Sequence, residues 1–294
     1  MTIKLANLYD MTKCTACRGC LVACKDWNQL PAVIDKFTGS YQAHESTNGD
    51  TYTIMKFFEF FDDSGTEVKF EFLKYQCMHC QDPSCLKVCP QQCYAISELG
   101  VVTHDADKCI GCQYCSYACP FGIPKRRVRE DVVTKCTLCQ DRLKEGIDDI
   151  ATPPDYFQQQ PISERVITAN ITPACVRNCP TGALTHGPRH ELLRNAEARV
   201  KELRSKGYPN ATVYGEKEAL NKLYVLADVP EKYDLPVNPG SYAVMDFWQN
   251  IVKPYAGWLI PVALAGSAVS FVTTRLINNK SGADHEQHEE GGNE

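Results

Sequence analysis

The sequence predicts an α+β protein: two small modules built around cysteines, a β-hairpin inserted into one of them, and one C-terminal helix that crosses a membrane. Three observations predict it. Sixteen of the 17 cysteines in the 294 residues fall into four sets of four with short, repeated spacings. Between the first and second sets, two runs rich in aromatic and β-branched residues flank an Asp/Ser/Gly turn. After all the sets comes Pro254–Thr274, 21 residues without a charge.

The cysteine sets carry the argument. Motif one is Cys14, Cys17, Cys20 and Cys24, with gaps of x2, x2 and x3. Motif two is Cys77, Cys80, Cys85 and Cys89-Pro90, with a wider second gap. Motif three, Cys109, Cys112, Cys115 and Cys119-Pro120, has the C-x2-C-x2-C-x3-C-P form of the bacterial ferredoxin run. There three thiolates hold one four-iron, four-sulfide cubane and the fourth reaches a second one. Motif four is split: Cys136 and Cys139, then Cys175 and Cys179-Pro180 after 35 intervening residues. Zinc ribbons use separated C-x2-C pairs and give no reason for such runs to repeat.

The repetition reads as two ferredoxin-like modules, each with two [4Fe-4S] clusters. Motifs two and three make module B, residues 77–135. Motifs one and four make module A, residues 1–76 with 136–190. By the exchange rule, Cys77, Cys80 and Cys85 take Cys119, and Cys109, Cys112 and Cys115 take Cys89. Likewise Cys14, Cys17 and Cys20 take Cys179, and Cys136, Cys139 and Cys175 take Cys24. Amides around Thr15, Ala16, Gly19 and Gly111 are the expected donors to cluster sulfur. Cys93 is left over as a small buried residue, and His79 stands beside a ligand without being one.

Taken in order, Thr51–Phe61 and Val68–Leu73 read as the hairpin, a sheet that covers the clusters. Gly100–Asp105 reads as a short strand ahead of motif three. Lys125–Arg129 reads either as a solvated strand end or as a charge source for clusters or a partner. Residues 140–174, with Pro153-Pro154 and few apolar positions, read as a surface loop, either a tolerated insertion or a partner contact. In the extension 191–250, Glu191–Gly207 has Leu192, Leu193, Ala196, Val200 and Leu203 at helical spacing, and Tyr224–Leu226 reads as a strand.

The uncharged stretch, within a helix placed at 251–277, is long enough at roughly 1.5 Å per residue for a bilayer core of about 30 Å. Trp248, Tyr255 and Trp258 stand at its start as interface anchors would. A buried core helix is the alternative. Arg275 and Lys280 after it, against Lys253 before it, place the cluster modules on the far side from the cytoplasm. The tail 278–294 reads as disordered and polar.

Composition excludes some classes. The net charge is −5, with no basic excess for nucleic acid. No Ser–His–Asp arrangement, P-loop or G-x-G-x-x-G occurs, and no histidine in the uncharged stretch offers a haem ligand within the bilayer. The N-terminus has neither an apolar export core nor twin arginines. A chain that carries electrons and has no terminal chemistry belongs between two other subunits.

These motifs resemble the four-cluster electron-transfer subunits of molybdopterin oxidoreductases. Within them the chain is similar to the β subunit of membrane-bound formate dehydrogenase. The residues that carry this are Cys109-Ile-Gly-Cys112, Cys119-Pro-Phe-Gly-Ile-Pro124, Lys135-Cys-Thr-Leu-Cys139, Pro173-Ala-Cys-Val and Asn178-Cys-Pro-Thr-Gly-Ala183. Glu202–Tyr208, Tyr224-Val-Leu, Leu235–Pro239, Phe247-Trp248 and Lys253-Pro254 add to it. The resemblance implies a catalytic molybdenum- or tungsten-pterin α subunit that oxidises formate and brings the export signal. It also implies a membrane cytochrome b γ subunit and quinone downstream, and a place in the inner membrane facing the periplasm. Two features stand out: the gap from Cys139 to Cys175 is long, and all sixteen ligand positions are Cys where nitrate reductase relatives place one Trp.

The other readings are the same wire in a hydrogenase or a sulfur-compound reductase, a free-standing polyferredoxin, and a zinc-stapled interaction protein. Neighbouring genes, solubility without partners, and metal analysis separate them.

Overall fold

The computed structural model describes residues 4–34, 36, 41, 44–61, 65–66, 68–148, 159–237, 239, 255, 261–262 and 264–275. The chain divides into two compact units, Met1–Ser241 and Tyr242–Glu294. Among the described residues there are ten strands: β1 (Leu5–Asp10), β2 (Ile54–Phe61), β3 (Val68–Tyr75), β4 (Tyr94–Ile96), β5 (Val102–His104), β6 (Lys125–Arg127), β7 (Val132–Thr134), β8 (Leu184–Pro188), β9 (Thr212–Tyr214) and β10 (Lys222–Leu226).

One sheet organises the first unit. Its order is β8-β1-β10-β9, with β1 parallel to β10 and the other pairs antiparallel. β1 and β10 are buried along their whole length, as central strands covered on both faces are. The helix Arg189–Ser205 lies on one face. Its Leu192, Ala196, Val200 and Leu203 pack on Ala6, Leu8, Leu223 and Val225, the stripe read from the sequence. Arg199 ties the helix to the end of β1 through Asp10 at 2.9 Å and Thr12 Oγ1 at 3.0 Å.

On the other face the apolar residues mix with cysteines. Tyr9, Tyr214 and Tyr224 share a cluster with Cys20, Cys77, Cys136 and Cys175. The β2-β3 hairpin pairs from Ile54↔Tyr75 to Phe61↔Val68 and closes over this cluster. Three tyrosine hydroxyls fasten β3 in place: Tyr9 donates to the Phe72 carbonyl at 2.7 Å, Tyr224 to that of Lys74 at 3.0 Å, and Tyr75 to that of Phe121 at 2.7 Å. The segment Met78–Gln81 runs beside the start of β10, with Lys222 N donating to the Met78 carbonyl at 3.0 Å and Gln81 N to that of Ala219 at 2.8 Å. These bonds hold motif two against the sheet.

The described residues of 140–174 are not the expected surface loop. Gln140–Asp148 and Ile162–Thr168 are helices, and they bury Leu143, Ser163 and Val166. Leu143 and Val166 share a core with Leu5, Leu99, Val101 and Leu138. Leu143 and Val166 are buried and Ile162, Ala169 and Ile171 pack against them, so a few placed apolar residues dock these helices despite the low hydrophobic content; residues 149–158 lie outside the described residues.

The predicted membrane span is not found in the structure: among the described residues no helix is long and apolar enough to cross a membrane. Of the stretch 251–277, only 255, 261–262 and 264–275 are described, and the tail 278–294 lies outside them. The described residues there are helical and exposed, Val262, Leu264, Val269 and Phe271 each by more than 60%.

Candidate functional site: a buried array of cysteines

Each cysteine loop turns through a left-handed residue, which aims successive amides inward as anion-binding nests do. In motif one, Ala16 and Arg18 have φ of 52° and 62°, and Ala16 N donates to Cys14 Sγ at 3.3 Å. The helix Gly19–Trp27 then presents Cys20 and Cys24, both buried, while Cys17 stays exposed. That helix packs against Ala174–Arg177, which carries Cys175. A Cβ on Gly19 would lie 3.1 Å from the Asn178 carbonyl oxygen, so glycine lets the loop before Cys179 approach.

Cys24 meets motif four. A cavity is lined by Cys24, Cys136, Cys139 and Cys175 together with Lys74 and Gln76. Leu138 N donates to Cys136 Sγ at 3.4 Å, from a turn in which Leu138 and Cys139 both have positive φ. Burial raises the Cys24 thiol well above its usual range, with Cys136, Cys175 and Cys139 adding to it and Lys74 opposing.

In motifs two and three, the helix Ser84–Val88 packs against Tyr114–Ala118. Burial raises the Cys85 thiol, and Cys77, Cys119 and Cys80 are its thiol neighbours. Burial raises the Cys119 thiol, and the backbone at Ile123, Phe121 and Gly122 opposes that push. Cys115 has Cys109, Cys112 and Cys89 around it, with Tyr94 close by. Val133 N donates to Cys109 Sγ at 3.3 Å and Cys93 N to Cys89 Sγ at 3.4 Å. Gly111, at φ 66°, leaves room for Asp131, whose carbonyl oxygen would lie 2.4 Å from a Cβ there. Of the amide donors expected from the sequence, that of Ala16 bonds a cysteine sulfur.

Neighbouring sets also meet. Cys20 has Cys175 nearby, Cys136 has Cys77, and Tyr94 has Cys115, Cys85 and Cys77. At the two ends, Cys17 and Cys112 are exposed.

Sequence reasoning missed three buried lysines, Lys74, Lys135 and Lys222, each at most 3% exposed. Lys135 Nζ donates to the Cys136 carbonyl at 3.1 Å and to that of Val102, and its charge opposes the upward push of burial on Cys80 and Cys85. Lys222 Nζ makes no hydrogen bond and lies 5.6 and 5.2 Å from the ring centres of Tyr9 and Tyr224. The available signal was a lone Lys inside an apolar strand, as in Phe72-Leu73-Lys74-Tyr75.

The donor chemistry fits iron–sulfur clusters. Burial holds the bare thiols of Cys20, Cys119 and Cys136 up at about 11 and Cys139 at about 12, so alone they are neutral. Among the described residues no carboxylate pairs with Lys74, Lys135 or Lys222. Buried cations need opposite charge close by, and thiolates bound to clusters provide it.

The other singled-out residues take structural roles. His79 is fully buried, its Nδ1 accepts from Val102 N at 3.2 Å, and burial, with Lys135 and Lys222 adding, keeps it neutral. Cys93 is buried, and its sulfur, a His104 ring nitrogen and Cys109 Sγ lie within 4.8 Å of one another. Arg127 bonds Asp50 at 2.9 Å, Glu130 at 2.8 Å and Tyr52 at 3.1 Å, which makes the basic run a strand tie.

Acid sensitivity follows from the histidines. Burial first, with Lys135 on His104 and Lys222 on His186, lowers both to about 4. Unfolded histidine titrates near 6.5. The unfolded chain therefore binds more protons between these values, and stability present above about pH 6.5 is lost as pH falls toward 4. Denaturant midpoints measured from pH 7 to 4.5 are expected to fall, and less steeply for His186→Gln; equal slopes in the two proteins would remove His186 from the account.

The sequence comparisons agree with this chemistry. Residues 68–152 match the 4Fe-4S dicluster domain. The chain is 33% identical over 293 residues to the nitrate-inducible formate dehydrogenase iron-sulfur subunit of Escherichia coli K12, covering 98% of this chain and 90% of that one. It is 34% identical over 281 residues to the formate dehydrogenase iron-sulfur subunit of Haemophilus influenzae, covering 93% and 80%. It is also 29% identical over 320 aligned residues to the hydrogenase-2 operon protein HybA of Escherichia coli O157:H7, covering 96% and 88%.

Proposed function

The chain belongs to the iron–sulfur subunits of formate dehydrogenase, and from that premise we propose that it carries electrons from a formate-oxidising subunit toward a membrane acceptor through four cysteine-held clusters. It is an electron-transfer subunit and not a catalytic one. Each [4Fe-4S] cluster supplies one-electron chemistry with little rearrangement.

We assign the ligands as Cys14, Cys17, Cys20 with Cys179; Cys24, Cys136, Cys139, Cys175; Cys77, Cys80, Cys85, Cys119; and Cys89, Cys109, Cys112, Cys115. The contacts between sets favour that same order along the path, with exposed Cys17 and Cys112 at the two ends. The chain's own residues bury or half-bury most of the sulfurs and aim amides at some of them, which tunes the potential of each step. The observation that carries the reading is the cavity lined by all four cysteines of one set, drawn from motifs one and four.

The partners would be a molybdenum- or tungsten-pterin α subunit and a cytochrome b γ subunit. We further propose that residues 251–277 anchor the chain in the inner membrane with the clusters on the periplasmic side. The exposed Val262, Leu264, Val269 and Phe271 favour lipid or a membrane subunit around them. Purification of the native complex is expected to give about sixteen iron per chain, formate-dependent reduction of a quinone analogue, and release from membranes by detergent but not by alkaline carbonate. Hydrogen-driven reduction without a formate response would favour the second reading, a hydrogenase wire, which the similarity to HybA supports.

A further inference from the structure

Lys74 stands near the end of β3 and is 1% exposed. Its backbone is fixed: it pairs with Met55 across the hairpin, and its carbonyl accepts from Tyr224. Nζ donates to Thr53 Oγ1 at 2.8 Å and to Gln76 Oε1, and Gln76 Nε2 lies 3.8 Å from Cys136 Sγ. Around it are the thiols of two different sets: Cys20 from the first, and Cys24, Cys136 and Cys175 from the second. A second buried lysine, Lys222, faces the same two sets, but burial and the charge of Lys74 push it down to about 7.

We propose that Lys74 is a fixed cation set between the first two clusters, where it raises the reduction potential of both. The inference rests on the ligand assignment above and adds a residue to it. Reduction adds one negative charge to a cluster. A positive charge in a poorly screened interior favours the reduced form, and the effect falls with distance. Because Lys74 lies against both sets, it moves both potentials in one direction. The step between these two clusters keeps its driving force, while electrons on both are held more favourably than they would be without Lys74. Lys74 is a positioning residue for charge and carries no electron itself.

The test is an EPR-monitored redox titration of the intact native complex with Lys74→Met. Two of the four centres are expected to fall in potential by at least a tenfold change in their reduced-to-oxidised ratio, 59 mV for a one-electron couple. The other two are expected to stay. Gln76→Glu, which keeps the lysine and sets a carboxylate against it, is expected to lower the same two centres. Unchanged potentials in both variants, or four centres shifting together, would overturn the proposal. So would loss of iron in both variants, which would make Lys74 an assembly residue. Failure of the underlying assignment reads differently: the wild-type complex would then lack four four-iron centres.

Discussion

Replacing Cys175 with serine is expected to remove one cluster of the four and to break the wire in its middle. Cys175 lies at the first turn of Ala174–Arg177, against Gly19–Trp27, and shares its cavity with Cys24, Cys136 and Cys139. A hydroxyl in its place is a hard, weakly acidic donor in a buried site that prefers thiolate. Iron is expected to fall by about a quarter, one cubane in four. Formate-to-quinone turnover is expected to fall roughly 100-fold or more, about 2.7 kcal/mol of added barrier. Formate oxidation by a dye that takes electrons directly from the catalytic subunit should persist. Cys93→Ala supplies the contrast, with full iron and full turnover, because Cys93 belongs to none of the four sets. Full turnover in Cys175→Ser would defeat the proposed path.

The second large effect is on folding. Without iron, the core of the first unit holds neutral thiols around Lys74, Lys135 and Lys222. A buried ion left without its partner costs about 3–5 kcal/mol. At roughly 2–4 °C per kcal/mol for a domain of this size, an anaerobically prepared iron-free chain is expected to unfold on the order of 10–20 °C below the loaded one. Lys222→Met removes a buried amine that has no hydrogen bond and that burial and Lys74 push down to about 7, so it should return part of that loss in the iron-free chain. In the loaded chain the same change should be neutral or destabilising. Calorimetry of the two forms checks both signs, and equal midpoints with and without iron would refute the premise.

Part of this was legible along the chain. Ligand spacing within a motif is a local property: x2 and x3 gaps set what one loop and one helical turn can reach. The Phe-rich runs around Asp62-Asp-Ser-Gly announced the hairpin, and the stripe from Leu192 to Leu203 announced the helix that covers the sheet. The helices of the insertion are not legible in its composition, because a single well-placed residue such as Leu143 is enough to dock a short helix. β1 escaped notice because a buried strand of six residues, Leu5–Asp10, has no alternation to betray it.

The sequence by itself determined that the chain carries repeated thiolate sets and therefore electron-transfer chemistry, since reach within a motif depends only on neighbouring residues. The tertiary structure alone decided which sets lie side by side and which lysines stand among them. Those facts follow from packing between segments far apart in sequence, such as β3 against β1 and β10. The charge that one buried residue exerts on another depends on distance through the fold and not on separation along the chain.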